Sequence, residues 1–194
     1  LLLLFNAAAF AQPQIPPKPT SSIYVQDYAG VLRSETKEQI NTISSQLAAR
    51  TKAQVVVVTI NTLEGSPIED YALGILRNWG VGDQSLNNGA VMLIAVADRK
   101  SRIEIGYGLE GALNDAKTGQ IQDTYMLPYF QQGNYDAGIL QGYIALAGEV
   151  AKEYNLDLNS QPVAPVNSQE QSDISPFTLL IIIGLFIFDW LFLS

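Results

Sequence analysis

Gln54-Val55-Val56-Val57-Val58-Thr59-Ile60 is a nearly unbroken β-branched run with no polar alternation. A stretch of this length and composition predicts a strand buried on both faces, as in a parallel sheet with helices on either side. The residues after it read as a crossover. Ser66-Pro67-Ile68-Glu69 predicts a capping box with proline at the first helical position. Ile68, Tyr71, Ala72, Ile75, Leu76 and Trp79 then recur at helical spacing until Gly80 and Gly82 end the pattern. Ala90 to Ala97 is a second continuous apolar run, and the crossover predicts that it lies parallel to the first. Asp98-Arg99-Lys100-Ser101 predicts a turn. Arg102 to Leu109 alternates, with Ile103, Ile105, Tyr107 and Leu109 on one face, as in an antiparallel neighbour. Upstream, Ser34 predicts the cap of a helix with Ile40, Ile43 and Leu47 inward. Downstream, a last helix is expected from about Asp136 to Tyr154. The order α-β-α-β-β-α-α gives an α/β fold with a mixed sheet covered on both faces.

Composition narrows the chemistry. The 194 residues carry 11 basic and 19 acidic side chains, a formal charge of −8, with no histidine and no cysteine. The charge argues against nucleic acid, because phosphate binding needs a cationic face. No Ser-His-Asp triad, imidazole ligand, thiolate nucleophile, disulfide or thiol-bound metal can be built. Carboxylates, amides, hydroxyls, Lys, Arg and an oxygen-bound cation remain.

Both ends read as membrane-related. Leu1 to Phe5 is apolar, and Ala9-Phe10-Ala11 places small residues where a signal peptidase requires them, so residues 1–11 are expected to be a signal peptide truncated at its start. Residues 12–23 form a proline-rich linker, 24–158 the domain, and 159–176 a polar linker. Phe177 to Leu193 holds one charge, Asp189, and predicts a C-terminal single transmembrane helix. The expected chain is exported and single-pass, with its domain on the extracytoplasmic side of the cell envelope.

Several short motifs occur in order: Val25-x-Asp27-x-Ala29-Gly30-x-Leu32, the valine run, Trp79-Gly80-Val81-Gly82 and Asn88-Gly89. Next come Arg99-Lys100-x-Arg102-Ile103-Glu104-x-Gly106-Tyr107-Gly108-Leu109-Glu110-Gly111 and Leu113-Asn114-Asp115, then Pro128-x-Phe130 and Gly133-Asn134-Tyr135. In these residues the stretch from about 24 to 155 resembles the TPM domain family, shared by thylakoid-lumen and photosystem II accessory proteins and bacterial membrane-anchored proteins. The resemblance implies a Rossmann-like α/β/α sandwich, divalent-cation binding and, for some members, acid phosphatase activity. Other members look like assembly or repair factors for membrane complexes. One departure is visible: Asn87 stands where the family often has Asp.

Strand direction predicts that Asp83, Asn87, Asn88, Tyr107, Glu110 and Asp115 meet at one end of the sheet. With Asp27, the carboxylates and amides among them (Asp27, Asp83, Asn87, Asn88, Glu110 and Asp115) are the expected ligands of Ca²⁺ or Mg²⁺. The alternative is that they form turns. Asp27 is harder to place: the helix after it should begin at the opposite end of the sheet, although an extended segment of several residues could carry it elsewhere, and the alternative role is a turn residue or hydrogen-bond acceptor. Arg99, Lys100 and Arg102 fall at the hairpin turn, away from the cluster. The Gly106-x-Gly108-x-x-Gly111 spacing follows an antiparallel strand rather than opening a crossover, so no nucleotide cofactor is expected. Two functions are compatible with these residues. One is a divalent-cation-binding module supporting assembly, maintenance or repair of a membrane protein complex. The other is a metal-dependent phosphatase acting on phosphomonoesters, with Asp115 or Glu110 as general base or nucleophile.

Overall fold

The valine run lies inside the sheet, as its composition requires. The computed structural model describes residues 14–158. Among them, four strands pair in the order β1 (Val25–Asp27), β2 (Gln54–Ile60), β3 (Gly89–Ala95) and β4 (Lys100–Ile105). β1 and β3 both run parallel to β2, with Val25 opposite Val57 and Gln54 opposite Gly89. β4 is antiparallel to β3, with Ala90 opposite Ile105. The mixed sheet and both expected pairings are present. β1 is an addition, since three residues are too few to show a period-2 pattern.

Alternate strand residues part to two faces. Val55, Val57, Ala90, Met92, Ile94 and Ile103 share a core with Ile40, Ile43 and Leu47 of α1 (Ser34–Thr51) and Ile139, Tyr143 and Val150 of α5 (Tyr135–Glu153). On the other face Val56, Val58, Ile60, Val91, Leu93 and Ala95 pack against Ile68, Tyr71, Ala72 and Ile75 of α2 (Ile68–Asn78), together with Trp79. Each fully buried valine contributes about 1.5–2 kcal/mol of apolar transfer. Replacing Val57 or Val58 by a polar residue would therefore break one core or the other.

Local details depart from the sequence reading for identifiable reasons. Ser34 is the first helical residue and not the cap. Arg33 holds the cap position without a side-chain capping bond, and its own N–H donates to Asp136 Oδ1 at 2.8 Å. Ser66 makes no capping box either: Pro67 is the N-cap, and its extended backbone carries no side-chain acceptor. β4 ends at Ile105, so Tyr107 and Leu109 do not continue the alternation but form a 3₁₀ turn, Tyr107–Leu109. The backbone there is claimed by a neighbouring loop, since Gly108 N–H donates to the Asn87 carbonyl at 3.0 Å. Beyond it the chain makes α3 (Asp115–Ile121), a π-helical turn over Gln122–Met126 and α4 (Leu127–Gln131). The π turn precedes Pro128, whose missing N–H removes one rung of an α-helical ladder.

The proline-rich stretch is not a free tether over its described part. Ile15 and Ile23 pack against the α2 core, and the carbonyls of Gln14 and Pro16 accept bonds from Tyr71 and Trp79. The expected signal peptide at 1–11, polar linker from 159 onward and transmembrane helix at 177–193 lie outside the described residues. Among the described residues no helix is long and apolar enough to cross a membrane.

Candidate functional site

The two ends of the sheet carry different chemistry. β1 ends at Asp27, whose side chain is 3% exposed. Its Oδ1 accepts from Val31 N–H at 3.0 Å and the Thr59 hydroxyl at 2.6 Å. Its Oδ2 accepts from Leu32 N–H at 3.1 Å and faces the Lys37 ammonium at 2.8 Å. Burial pushes the carboxyl up, but Lys37, Thr59 and the two backbone donors outweigh it and hold Asp27 below the ordinary carboxylate range. Asp27 thus locks the 28–33 turn onto β2. Its partner across the ladder is Thr59, whereas Gly89 pairs with Gln54. Five residues at ~3.3 Å each put the two ends about 16 Å apart along the sheet. Asp27 does not join the other expected ligands.

At the opposite end the loop from Val81 to Asn88 folds over the start of β3 and the end of β4. Asp83 Oδ1 accepts from the N–H and hydroxyl of Ser85 and from Leu86 N–H. Its Oδ2 lies 3.6 Å from the Lys52 ammonium. The Ser85 hydroxyl and N–H lead the effects that lower its pKa. Asn88 is fully buried, and its amide bonds Asp83 N–H, the Thr51 carbonyl and the Tyr154 hydroxyl. It ties the loop to the ends of α1 and α5. Asn87 is exposed and sits at φ +50°, a left-handed conformation that asparagine tolerates better than most residues.

The glycine motifs serve close approach. A Cβ on Gly89 would stand 2.1 Å from the Val81 carbonyl oxygen, and one on Gly108 would stand 1.9 Å from that of Leu86. Trp-Gly-Val-Gly therefore meets Asn-Gly in one backbone contact, and Gly-Tyr-Gly meets the Leu86–Asn87 backbone in a second.

Glu110 and Asp115 are both exposed. Asp115 opens α3, which Asn114 caps by accepting from Lys117 N–H at 2.9 Å. A cage for a hard cation takes six or more oxygens. Asp83 Oδ1 takes three loop donors while Oδ2 faces a lysine, and Asn88 has spent its amide on three partners. Among the described residues no three acidic side chains converge on a metal position.

What this end does offer is a cleft of about 360 Å³ between α2 and the loops, lined by Leu73, Leu76, Arg77, Asp83, Gln84 and Tyr107 among others. Tyr107 is 79% exposed, and Leu86 on the adjoining loop is 44% exposed. Arg77, in the last turn of α2, makes no ion pair with the described residues. In the sequence Arg77 is one polar position on an amphipathic helix. Its place just before Gly80-Val81-Gly82 is the only local signal of its position at a cleft.

The TPM domain family model matches residues 25–149. The chain belongs to the TPM domain family. Among solved structures, this TPM domain is similar to the N-terminal domain of a protein from P. gingivalis, with 31% identity and a TM-score of 0.65. That match covers 73% of this chain and 90% of the other. It is also similar to a protein of the psychrophilic bacterium Bizionia argentinensis, at 18% identity and TM-score 0.53 over 70% of this chain and 90% of that one. A third similarity is to the N-terminal domain of a Corynebacterium glutamicum protein, at 17% identity and TM-score 0.53 over 83% and 99% of the two chains. The latter two speak to the fold alone. No protein with a curated description matches the sequence. In this TPM domain the family motifs resolve into two structural locks, Asp27 with its turn and Asn88 with the glycine contact, placed at opposite ends of the sheet.

Proposed function

We propose that the domain is a binding module that holds a membrane-protein partner at the Arg77–Tyr107 cleft, supporting assembly or maintenance of a membrane complex. One observation carries the reading: a highly exposed aromatic ring and an arginine without an ion pair among the described residues flank one cleft at the loop end of the sheet. Tyr and Arg concentrate binding energy at protein interfaces, because each offers apolar area together with a directed polar group. The partner surface that suits this pair carries a carboxylate for Arg77 beside an apolar side chain for Tyr107. The signal peptide and anchor expected from the sequence support placing this surface outside the cytoplasm and close to a bilayer. The reading needs no bound Ca²⁺ or Mg²⁺, and Glu110 and Asp115 take no part in it.

The test is co-purification from mild detergent with the intact chain as bait, beside Arg77→Glu and Tyr107→Ala. A membrane protein retained by the wild type and lost from both variants is the expected result. Equal retention by all three would remove the cleft from the interface. Phosphomonoester turnover that Asp115→Asn abolishes would replace the binding reading with hydrolysis.

A further inference from the structure

The sheet face covered by α2 is short of cover. α2 has 11 residues, whereas the other face carries α1 and α5 with 18 and 19. At 1.5 Å per residue, α2 is about 16 Å long. The deficit is met by the N-terminal segment. Gln14, Ile15 and Pro16 run along α2, the first against Tyr71, the second against Gly74 and the third against Trp79.

The seat is built for an extended proline-rich chain. Tyr71 hydroxyl donates to the Gln14 carbonyl at 3.1 Å, and Trp79 Nε1–H donates to the Pro16 carbonyl at 2.8 Å. Trp79 is 1% exposed, and an indole is a donor only, so that bond satisfies an otherwise buried N–H. Between the two donors Ile15 occupies the space that a side chain at 74 would fill. A Cβ there would stand 1.9 Å from Ile15 Cδ1. Paired aromatic donors aimed at backbone carbonyls, with an apolar notch between them, share the physics of polyproline recognition: proline lowers the entropy of the ligand and leaves its carbonyls free.

We infer that the Tyr71–Gly74–Trp79 face of α2 is a binding site for a Gln-Ile-Pro segment, filled in cis by residues 14–16 of the same chain. The segment is a strap that completes the second core, and the folded unit includes residues 14–16 rather than beginning at 24. The site is separate from the Arg77–Tyr107 cleft, and its test is independent of that reading.

The experiment uses the full chain with Trp190→Phe, which leaves Trp79 as the remaining tryptophan. Gly74→Ala puts a methyl group where Ile15 sits while raising helix propensity, so α2 itself is retained. The expected result is a red shift of Trp79 emission and at least tenfold faster cleavage within residues 14–23 by a nonspecific protease, with unchanged far-ultraviolet dichroism. Unchanged emission and protection would overturn the proposal. A second arm adds the peptide Gln-Pro-Gln-Ile-Pro-Pro, residues 12–17, to a chain lacking residues 1–17. Saturable binding to that chain but not to the intact one is expected, at least tenfold weaker for the Ile15→Ala peptide. If the deletion loosens the fold, the same peptide restores the melting temperature with the same ranking. Absence of binding, or equal binding of both peptides, would overturn the site. Concentration-dependent dimers of the intact chain that Gly74→Ala abolishes would overturn the cis assignment in favour of exchange between copies.

Discussion

Asp27→Asn separates a structural lock from a metal ligand. The carboxylate accepts four donors: Val31 N–H, the Thr59 hydroxyl, Leu32 N–H and the Lys37 ammonium. Asparagine keeps one acceptor oxygen and presents an NH₂ group where the other stood, so two of the four lose their acceptor. Lys37 is 39% exposed and can turn to water at little cost. A backbone N–H of the 31–32 turn cannot. An orphaned buried donor costs about 1–3 kcal/mol, and the bonds that remain weaken when the carboxylate becomes a neutral amide, for about 2–4 kcal/mol together. With a urea slope near ~2 kcal/mol/M, the unfolding midpoint should fall by about 1–2 M. The assay is urea unfolding of wild type and variant, each with EDTA and with millimolar Ca²⁺. The expected loss is the same in both solutions. A loss under about 0.5 kcal/mol, or one seen only with Ca²⁺, would refute the argument.

Four further outcomes rest on the same contacts. Asp27 and Asp136 both have folded pKa values below the ordinary range: each is raised by burial, but Asp27 is pulled lower by Lys37, Thr59 and backbone donors, and Asp136 by the N–H of Arg33, the Thr36 hydroxyl and the Arg33 guanidinium. Their stabilisation is complete above an unfolded carboxylate pKa of about 3.9 and is lost as pH falls through the folded values. Stability of the wild type measured by chemical unfolding should therefore drop below about pH 4, and Asp27→Asn/Asp136→Asn should flatten that drop. Asn88→Ala leaves Asp83 N–H, the Thr51 carbonyl and the Tyr154 hydroxyl without their partner and should cost about 2–4 kcal/mol in thermal unfolding. Asn87→Asp, which restores the residue common in the family at an exposed left-handed position, should change stability by less than about 0.5 kcal/mol. Calorimetric titration of Ca²⁺ or Mg²⁺ should give binding no tighter than about 1 mM, since flexible acidic loops bind weakly without a preformed oxygen cage. Micromolar binding lost in Asp115→Asn would instead establish the cation site implied by the family.

Legibility tracked how local each feature is. The strand over 54–60 needed only a β-branched run, and its observed ends are the ones read from the sequence. α2 and α5 announced themselves by apolar spacing, because their inward residues meet a continuous sheet face. Tyr107 and Leu109 misled, since their alternation continues that of Ile103 and Ile105 although glycines 106 and 108 hand the backbone to the Asn87 loop. Ser34 and Ser66 misled for a different reason: the N–H at the start of α1 is met by Asp136 from elsewhere in the chain, and α2 begins with no side-chain cap. At the candidate site, strand direction places the helix after Asp27 at the far end of the sheet, yet Asp27 still stands among the expected ligands, because the sequence does not show that its carboxylate turns back onto its own 28–33 turn. It could not show that Asn88 faces inward to Tyr154, a contact between residues 66 positions apart. The cleft was illegible for the same reason, as Arg77 and Tyr107 come to line it only once the chain has folded. The docked strap ran against the ordinary reading of prolines as linker, which holds only until a complementary face is present.

The most direct test of the binding account is photo-crosslinking in the native membrane, with p-benzoylphenylalanine replacing Tyr107 in the full chain and, as a control, replacing Gln46 on the exposed face of α1. The account predicts one dominant crosslinked membrane protein from position 107, absent from position 46 and lost when Arg77→Glu is added. Equal crosslinking from both positions, or none from 107 in membranes where the protein is abundant, would contradict it.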